Sequence, residues 1–377
     1  MNKFLTIAII LLFNTVQAQK LLIDKADSLY VNGNYSKAIN EYSKVKNLSS
    51  VYHKIAKSYI AIGNYDEALN NYKLSIEANP EDTLLKYEYA KLLSKTKKYD
   101  EASNVFYSLI DIDYKNPNYH YELGLVLEHL KDSTAQNRFH SAYMLDRTHQ
   151  KAIFRIARFH VKKRHYKTAN YYIDEGLSSY ANNKELISLK AQNYYWKKDY
   201  DNAVVWFEKL LELNESSQFI HEKLSYSYSK IYKYQEAIEQ CKKALKFDPK
   251  NANNLYILAQ LYDYEEDHAN AEKYYRASLL LQDIPLDTEY QKLGMVLNKQ
   301  KKHKEALEAY KKAVYENPTS PDANFFLVLT KDQYYEDIDT RIQLYEKFVK
   351  KFPESVFAPM AERRISQLKE EKFLKTD

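Results

Sequence analysis

The chain has 377 residues, 56 basic and 51 acidic, for a formal charge of +5; so small a surplus over such a length gives no electrostatic case for binding DNA or RNA. Five glycines in the whole chain leave little material for phosphate-cradling loops or a nucleotide-binding βαβ unit, which need Gly at sterically special positions. An all-α chain fits best, with 45% hydrophobic residues to fill a core and 28% charged residues to clothe a large surface.

Met1 to Lys3 form a short basic start, Phe4 to Phe13 run FLTIAIILLF, and Val16-Gln17-Ala18 supply small residues ahead of Gln19. This order is that of a secretory signal peptide, and residues 1–18 are assigned to it. The apolar run is shorter than the roughly 20 residues a membrane span needs, so the mature chain is expected not to span a membrane. The one cysteine, Cys241, is far from the cleavage site, where a lipid anchor would require it. The expected address is therefore exported: periplasmic, outer-membrane-associated or extracellular, and not a lipoprotein.

From there on a Tyr-x-x-Ala or His-x-x-Ala signature recurs: Tyr35/Ala38, Tyr65/Ala68, Tyr99/Ala102, Tyr166/Ala169, Tyr200/Ala203, Tyr234/Ala237, His268/Ala271 and His303/Ala306, with Ala135 filling the gap. The first alanine spacing is 30 residues and the later ones are 33 to 35. Such self-similarity marks a repeat architecture. One period reads as helix A with Ala56 and Tyr59, a turn at Gly63, helix B opened by Tyr65 and Ala68 and containing Tyr72, and a stop at Pro80. Pro249, Pro318 and Pro353 repeat the stop. All five glycines fall inside this frame, Gly33 and Gly63 in turns and Gly124, Gly176 and Gly294 at small packing positions, like Ala56, Ala90, Ala157, Ala191, Ser225 and Ala259.

This period and pattern resemble the tetratricopeptide repeat, and the resemblance covers nearly everything after residue 18. It implies an all-α, right-handed superhelical solenoid of about ten helix-turn-helix hairpins over residues 19–353, closed by a capping helix and tail at 354–377. Departures are expected at the short first unit, at the turn near Asp132, which is one residue short, and in the unit from Pro321 to Pro353, which lacks its alanine. The cap carries Val356, Met360, Ile365 and Leu368 among Glu and Lys; solenoids need a polar-faced end of this kind.

Catalytic constellations are missing. No HExxH, CxxC, GxSxG or GxxxxGK[ST] occurs, so no cofactor and no metal are expected. Cys241 occupies a helix B slot held elsewhere by Tyr72, Phe106 and Phe207, which makes it a buried thiol and not a nucleophile. Glu265, Glu266 and Asp267 fall at a turn, where carboxylates are solvated and lack the contrasting environments of an acid and base pair. The chain reads as a non-enzyme.

In the family that the repeat resembles, A helices line a groove that holds a partner segment. Lys151, Arg155, Arg158 and Lys162 recur at steps of 4, 3 and 4, a basic stripe on one helix A suited to an acidic segment. Some family members clamp a carboxylate there; Lys151 and Arg155 match part of that clamp, while Tyr87, Lys91 and Glu122 stand where its other partners would be. Tyr195, Trp196, Tyr226, Tyr256 and Tyr264 are expected to approach the groove and add aromatic contact area. The reading is a protein-protein interaction scaffold of the cell envelope; the alternative is a module that stacks glycan or peptidoglycan on those aromatics.

Overall fold

The structure, a computed structural model, describes residue 17 and residues 19–281, 286–334 and 337–374. The expected signal peptide lies outside the described residues apart from residue 17. The chain divides into two compact units, Met1–Leu186 and Ile187–Asp377, and the described residues contain helices and turns without a strand.

The first unit runs α1 (19–31), α2 (Tyr35–Tyr42), a short 3-10 turn (Leu48–Ser50), α3 (Tyr52–Ala61), α4 (Tyr65–Ala78), α5 (Thr83–Lys95), α6 (Tyr99–Ile112), α7 (Pro117–His129), α8 (Ala135–Leu145), α9 (Gln150–Lys162) and α10 (Tyr166–Ser179). Helix α11 (Lys184–Lys197) crosses the boundary. The second unit continues with α12 (Tyr200–Glu212), α13 (Gln218–Lys230), α14 (Tyr234–Phe247), α15 (Ala252–Tyr264), α16 (His268–Leu279), α17 (Asp287–Lys299), α18 (His303–Glu316), α19 (Pro321–Tyr334), α20 (Ile338–Lys351) and α21 (Ala358–Leu374). Odd-numbered helices are the A helices and even-numbered ones the B helices of successive hairpins. Within each unit a helix packs on its hairpin partner and on the next helix in the chain, the stacking expected of repeats that cannot bury their apolar face alone.

Two positions build the core. The signature alanines of the B helices and the small residues of the A helices, among them Ala38, Ala56, Ala68, Ala90, Ala102, Ala157 and Ala259, are fully buried. Four residues after the alanine comes a bulky side chain: Tyr42, Tyr72, Phe106, Phe139, Phe207, Tyr275 and Tyr310 are all at most 2% exposed. The small residue of helix A makes room for this ring. At Gly124 an added Cβ would stand 2.6 Å from Phe139, and at Gly294 2.8 Å from Tyr310. Cys241 fills the same slot in α14, where its Sγ donates to the Asn254 carbonyl at 3.3 Å.

The A-to-B turns share one backbone device. At Lys97, for example, the chain enters the left-handed region (φ 63°), Lys97 N–H donates to the Ser94 carbonyl and Lys98 N–H to the Leu93 carbonyl. This pair of bonds is the Schellman closure that satisfies the last carbonyls of a helix. Sequence reading places glycine at this point, and Gly33 and Gly63 do occupy it with φ of 77° and 80°. Lys97, Lys131, Arg164, Lys198, Tyr232, Glu266 and Lys301 occupy it elsewhere, at φ between 59° and 65°, so the hydrogen-bonded closure imposes the conformation on residues that resist it.

The short turn near Asp132 has a local cost. Ala135 arrives one residue early, and α8 starts at Ala135, whereas α6 starts three residues ahead of its alanine. The lost turn is replaced by Asp132, whose carboxylate accepts from Thr134 N–H and Thr134 Oγ1, both at 2.8 Å. The C-terminal helix also departs in detail. Ala361 and Leu368 of α21 are buried against Phe325, Ile342, Tyr345 and Phe348, with Ile365 and Phe357 alongside. Val356 and Met360, expected on that face, are 81% and 58% exposed. Val356 precedes the helix and Met360 stands at the open edge of the seam, beside a recess shared with Phe325 and Tyr345, while the smaller Ala361 makes the close approach. Asp332 fastens the cap: burial pushes its carboxyl up, but hydrogen bonds from Arg364 at 2.8 Å and from Arg341 hold it below the usual range.

Candidate partner-binding faces

In α9, Ala152, Ile153, Ile156 and Ala157 are fully buried, which turns Lys151, Arg155, Arg158 and Lys162 to the other side as the spacing requires. His149 caps this helix, its Nδ1 accepting from Ala152 N–H at 3.1 Å. The stripe is not four free cations. Glu128, at the end of α7, accepts from Arg155 at 2.8 Å and from Arg158 at 3.2 Å, and Lys151 and Lys162 are the two members that make no ion pair among the described residues. Glu128 has no motif around it. Its only sequence signal is register: it stands four residues after Gly124, as Val161 stands after Ala157, at the level of the neighbouring stripe.

The residues that stand in for the rest of the clamp are also engaged. Tyr87 Oη donates to Glu122 at 3.3 Å, and Lys91 Nζ lies 5.3 Å from the Tyr87 ring centre. Burial raises the Glu122 carboxyl above its ordinary range, although Lys91, Tyr87 and Lys151 all pull it down. Lys57 pairs with Glu88 at 3.1 Å. The A-helix face of the first unit is thus a chain of acids and bases. Surface pairs of this kind are worth about 0–1 kcal/mol each, so an incoming carboxylate can exchange with Glu128 at small cost.

In the second unit the aromatic expectation divides. Tyr195 touches Trp196 (5.2 Å between ring centres) and Tyr226 (5.6 Å), and Tyr200 closes the group against Tyr226 at 5.8 Å. Lys223 Nζ, with no carboxylate partner among the described residues, lies 4.8 Å from the Tyr195 ring, 5.8 Å from Trp196 and 5.6 Å from Phe219. Trp196, Phe219 and Tyr226 are 49%, 41% and 38% exposed. Phe219, Lys223, Tyr226 and Lys230 occupy α13 at steps of 4, 3 and 4, the same register as the α9 stripe; Phe219, Lys223 and Lys230 were not singled out from sequence, because a mixed aromatic and basic row lacks the uniform charge of α9. Tyr256 instead packs against the buried Tyr275 ring at 5.6 Å, and burial pushes its hydroxyl up to about 12. Tyr264 lies stacked on Tyr234 at 5.1 Å. Tyr256 is therefore a packing residue, while the exposed Trp196 and Tyr226, with the half-buried Tyr195 against both, form a patch beside Lys223.

Elsewhere the chemistry is structural. Burial pushes the Cys241 thiol up to about 12, Asp267 caps α16 by accepting from Asn270 N–H at 3.1 Å, and among the described residues no group of three or more His, Cys, Asp or Glu could hold a metal. No helix among them is long and apolar enough to cross a membrane.

Comparison with known proteins gives a consistent family. Among curated proteins the chain is 23% identical over 267 residues to a DnaJ homolog subfamily C member 7 homolog of Dictyostelium discoideum, covering 67% of this chain and 44% of that protein. It is 21% identical over 300 residues to the tetratricopeptide repeat and J domain-containing co-chaperone DNJ1 of Cryptococcus neoformans, covering 76% of this chain and 53% of that one; the chain spans about half the length of the curated relatives it matches. Among solved structures, a tetratricopeptide repeat protein from Parabacteroides merdae is 14% identical, with 66% of this chain and 98% of that one covered at a TM-score of 0.46. Yeast Tom70 is 16% identical, with 96% and 97% covered at a TM-score of 0.40. Family profiles described as tetratricopeptide repeat match residues 59–123, 185–217, 220–251, 252–283 and 290–320, together just over half of the chain. Repeats of this family are non-enzymatic modules for protein-protein interaction, and the chain belongs to the tetratricopeptide repeat family.

Proposed function

We propose that this protein is an exported adaptor of the cell envelope, which holds a segment of another envelope protein on its A-helix faces. The observation that carries this reading is the α11/α13 patch, where the exposed Trp196 and Phe219 and the half-buried Tyr195 surround Lys223, which has no carboxylate partner among the described residues. Tryptophan and tyrosine are enriched among the residues that dominate binding energy at protein interfaces, and a partner segment with an acidic residue beside an apolar one complements the rings and Lys223. The α9 stripe supplies a second foothold for acidic residues through Lys151 and Lys162, with Arg155 and Arg158 released from Glu128. The N-terminal pattern supports export with cleavage after Ala18. A glycan stacked on Trp196 is the alternative occupant of the same patch.

The reading is tested by affinity capture from the native envelope, comparing the mature chain with a Lys151→Ser/Arg155→Ser/Arg158→Ser/Lys162→Ser variant and a Trp196→Ser/Lys223→Ser variant. A protein lost selectively from either variant, and a mature N-terminus at Gln19, are the expected results. Equal recovery from all three chains would remove both faces from the proposal, and retention on cell-wall polysaccharide alone would replace the protein partner by a glycan.

A further inference from the structure

The turn between α9 and α10 brings two imidazoles edge to edge. His160, in the last turn of α9, and His165, the residue before α10, have their Nδ1 atoms 3.4 Å apart. The ring centres are 5.6 Å apart, so most of the separation is the gap between these two nitrogens, which face each other. Both residues are held in place. His165 N–H donates to the His160 carbonyl at 2.9 Å, and Arg164 between them lies in the left-handed region at φ 59°, so the turn closure fixes the two backbones. The His160 ring is stacked on Tyr172 at 5.8 Å and 5° and packs T-shaped against Phe159 at 5.4 Å. Neighbouring hairpins place Tyr59, Tyr194, Tyr228 or Tyr262 at the first position and Asn64, Asp199, Lys233 or Asp267 at the second; no other hairpin has histidine at both.

Two neutral imidazole nitrogens that face each other repel unless one carries a proton or a cation lies between them. A shared proton makes only a weak bond, because 3.4 Å exceeds the usual range of about 2.7–3.2 Å for N–H donors. A tetrahedral metal ion fits the gap. Two nitrogens bound at about 2.0–2.1 Å to zinc stand about 3.3–3.4 Å apart, whereas adjacent nitrogens of a square-planar site at the same bond lengths stand about 2.8–3.0 Å apart. Burial disfavours the charged form of His160 and so favours the neutral ring that a metal requires. His165 is exposed and His160 half-buried, which leaves an entry path and room for water ligands. Lys162, Lys163, Arg164 and Lys167 are close in sequence and exposed; salt screens their charge over about 10 Å, so they lower the affinity for a cation, while the two nitrogen-metal bonds act at contact.

We propose that His160 and His165 bind one Zn²⁺ ion through their Nδ1 atoms, with water in the two remaining tetrahedral positions. The site is independent of the adaptor reading. The test is calorimetric titration of the chelator-treated full chain with ZnCl₂ at pH 7.5, with MgCl₂ as the comparison, since Mg²⁺ takes oxygen ligands and not imidazole. A saturable site is expected for Zn²⁺ and none for Mg²⁺. His165→Gln and His160→Tyr should each weaken it by at least about tenfold, whereas His129→Gln, at an exposed histidine stacked on Tyr99, should leave it unchanged. His160→Tyr supplies the ring that Tyr262 stacks on Tyr274 in a later hairpin, and His165→Gln alters an exposed side chain, so neither variant asks the hairpin to repack. Absence of saturable Zn²⁺ binding, undiminished binding in either variant, an equal loss in His129→Gln, or equal binding of Mg²⁺ would overturn the proposal.

Discussion

Gly124 and Phe139 show how finely the repeat is fitted at the level of single side chains. Phe139 is fully buried and its ring edge lies where a Cβ on residue 124 would go, with Cε1 at 2.6 Å and Cδ1 at 2.8 Å. Other A helices hold alanine here and still accommodate a ring, so the substitution is absorbed by shifting α7 away from α8 and not by a change of fold. Gly124→Ala should lower the stability of the chain by about 1–3 kcal/mol, the usual range for overpacking a filled core, read as a lower urea midpoint; an unchanged midpoint would show that Phe139 moves freely. The small-and-ring pairing was legible from spacing alone, and so was the buried Cys241, because both follow from a register shared by every repeat. Glu128 was not legible, because its partners are brought to it by the stacking of α7 on its neighbours and no local pattern records that.

At the scale of elements, the hairpin turns separate what sequence encodes from what hydrogen bonding enforces. Helix limits followed the signature closely: Tyr65, Tyr99, Tyr166, Tyr200 and Tyr234 each open a B helix. The left-handed turn residue did not, since Lys97, Tyr232 or Glu266 carry no mark of the backbone they adopt. The left-handed region costs a residue with a Cβ about 1–2 kcal/mol, while glycine brings about 0.4–1 kcal/mol of extra unfolded-chain entropy. The difference favours glycine wherever the side chain makes no contact. Lys97 is exposed, so Lys97→Gly should stabilise the chain by about 0.5–1 kcal/mol, seen as a raised thermal midpoint. A loss of stability would mean that the Lys97 side chain contributes more than its backbone costs. The cap makes the complementary point: amphipathicity located α21, but choosing Ala361 over Met360 for its seam depends on how near α21 approaches α19 and α20.

For the molecule as a whole, the repeat count and the hairpin order were readable because each repeat is an independent statement of the same pattern, whereas what residues on different helices make together is marked in no single repeat. A property of the same distributed kind is pH response. His53, His120, His140, His149 and His160 all titrate below the ordinary histidine value, in each case chiefly because burial disfavours the charged ring. All five lie in the Met1–Leu186 unit. Because the unfolded chain takes up these protons near pH 6.5 and the folded chain resists them, stability is fully present above about pH 6.5 and falls as pH drops through it, flattening below the folded values. Depressed carboxylates such as Asp332 and Asp27 follow the same sign only further down, from about pH 4, so the two windows are separable. His120 is the sharpest case: it is fully buried, its Nε2 lies 2.8 Å from the Tyr114 carbonyl, and its Nδ1 has no hydrogen-bond partner among the described residues, so a second proton would have nothing there to bond. Amide exchange at pH 7.5 and 5.5, corrected for intrinsic rates, should show the first unit losing protection at the lower pH, and His120→Gln should be less stable at pH 7.5 but show a shallower decline. Equal protection at both pH values, or an unchanged slope in the variant, would mean that these histidines reach water in the folded chain and that the stacking of α7 through α10 is looser than their burial requires.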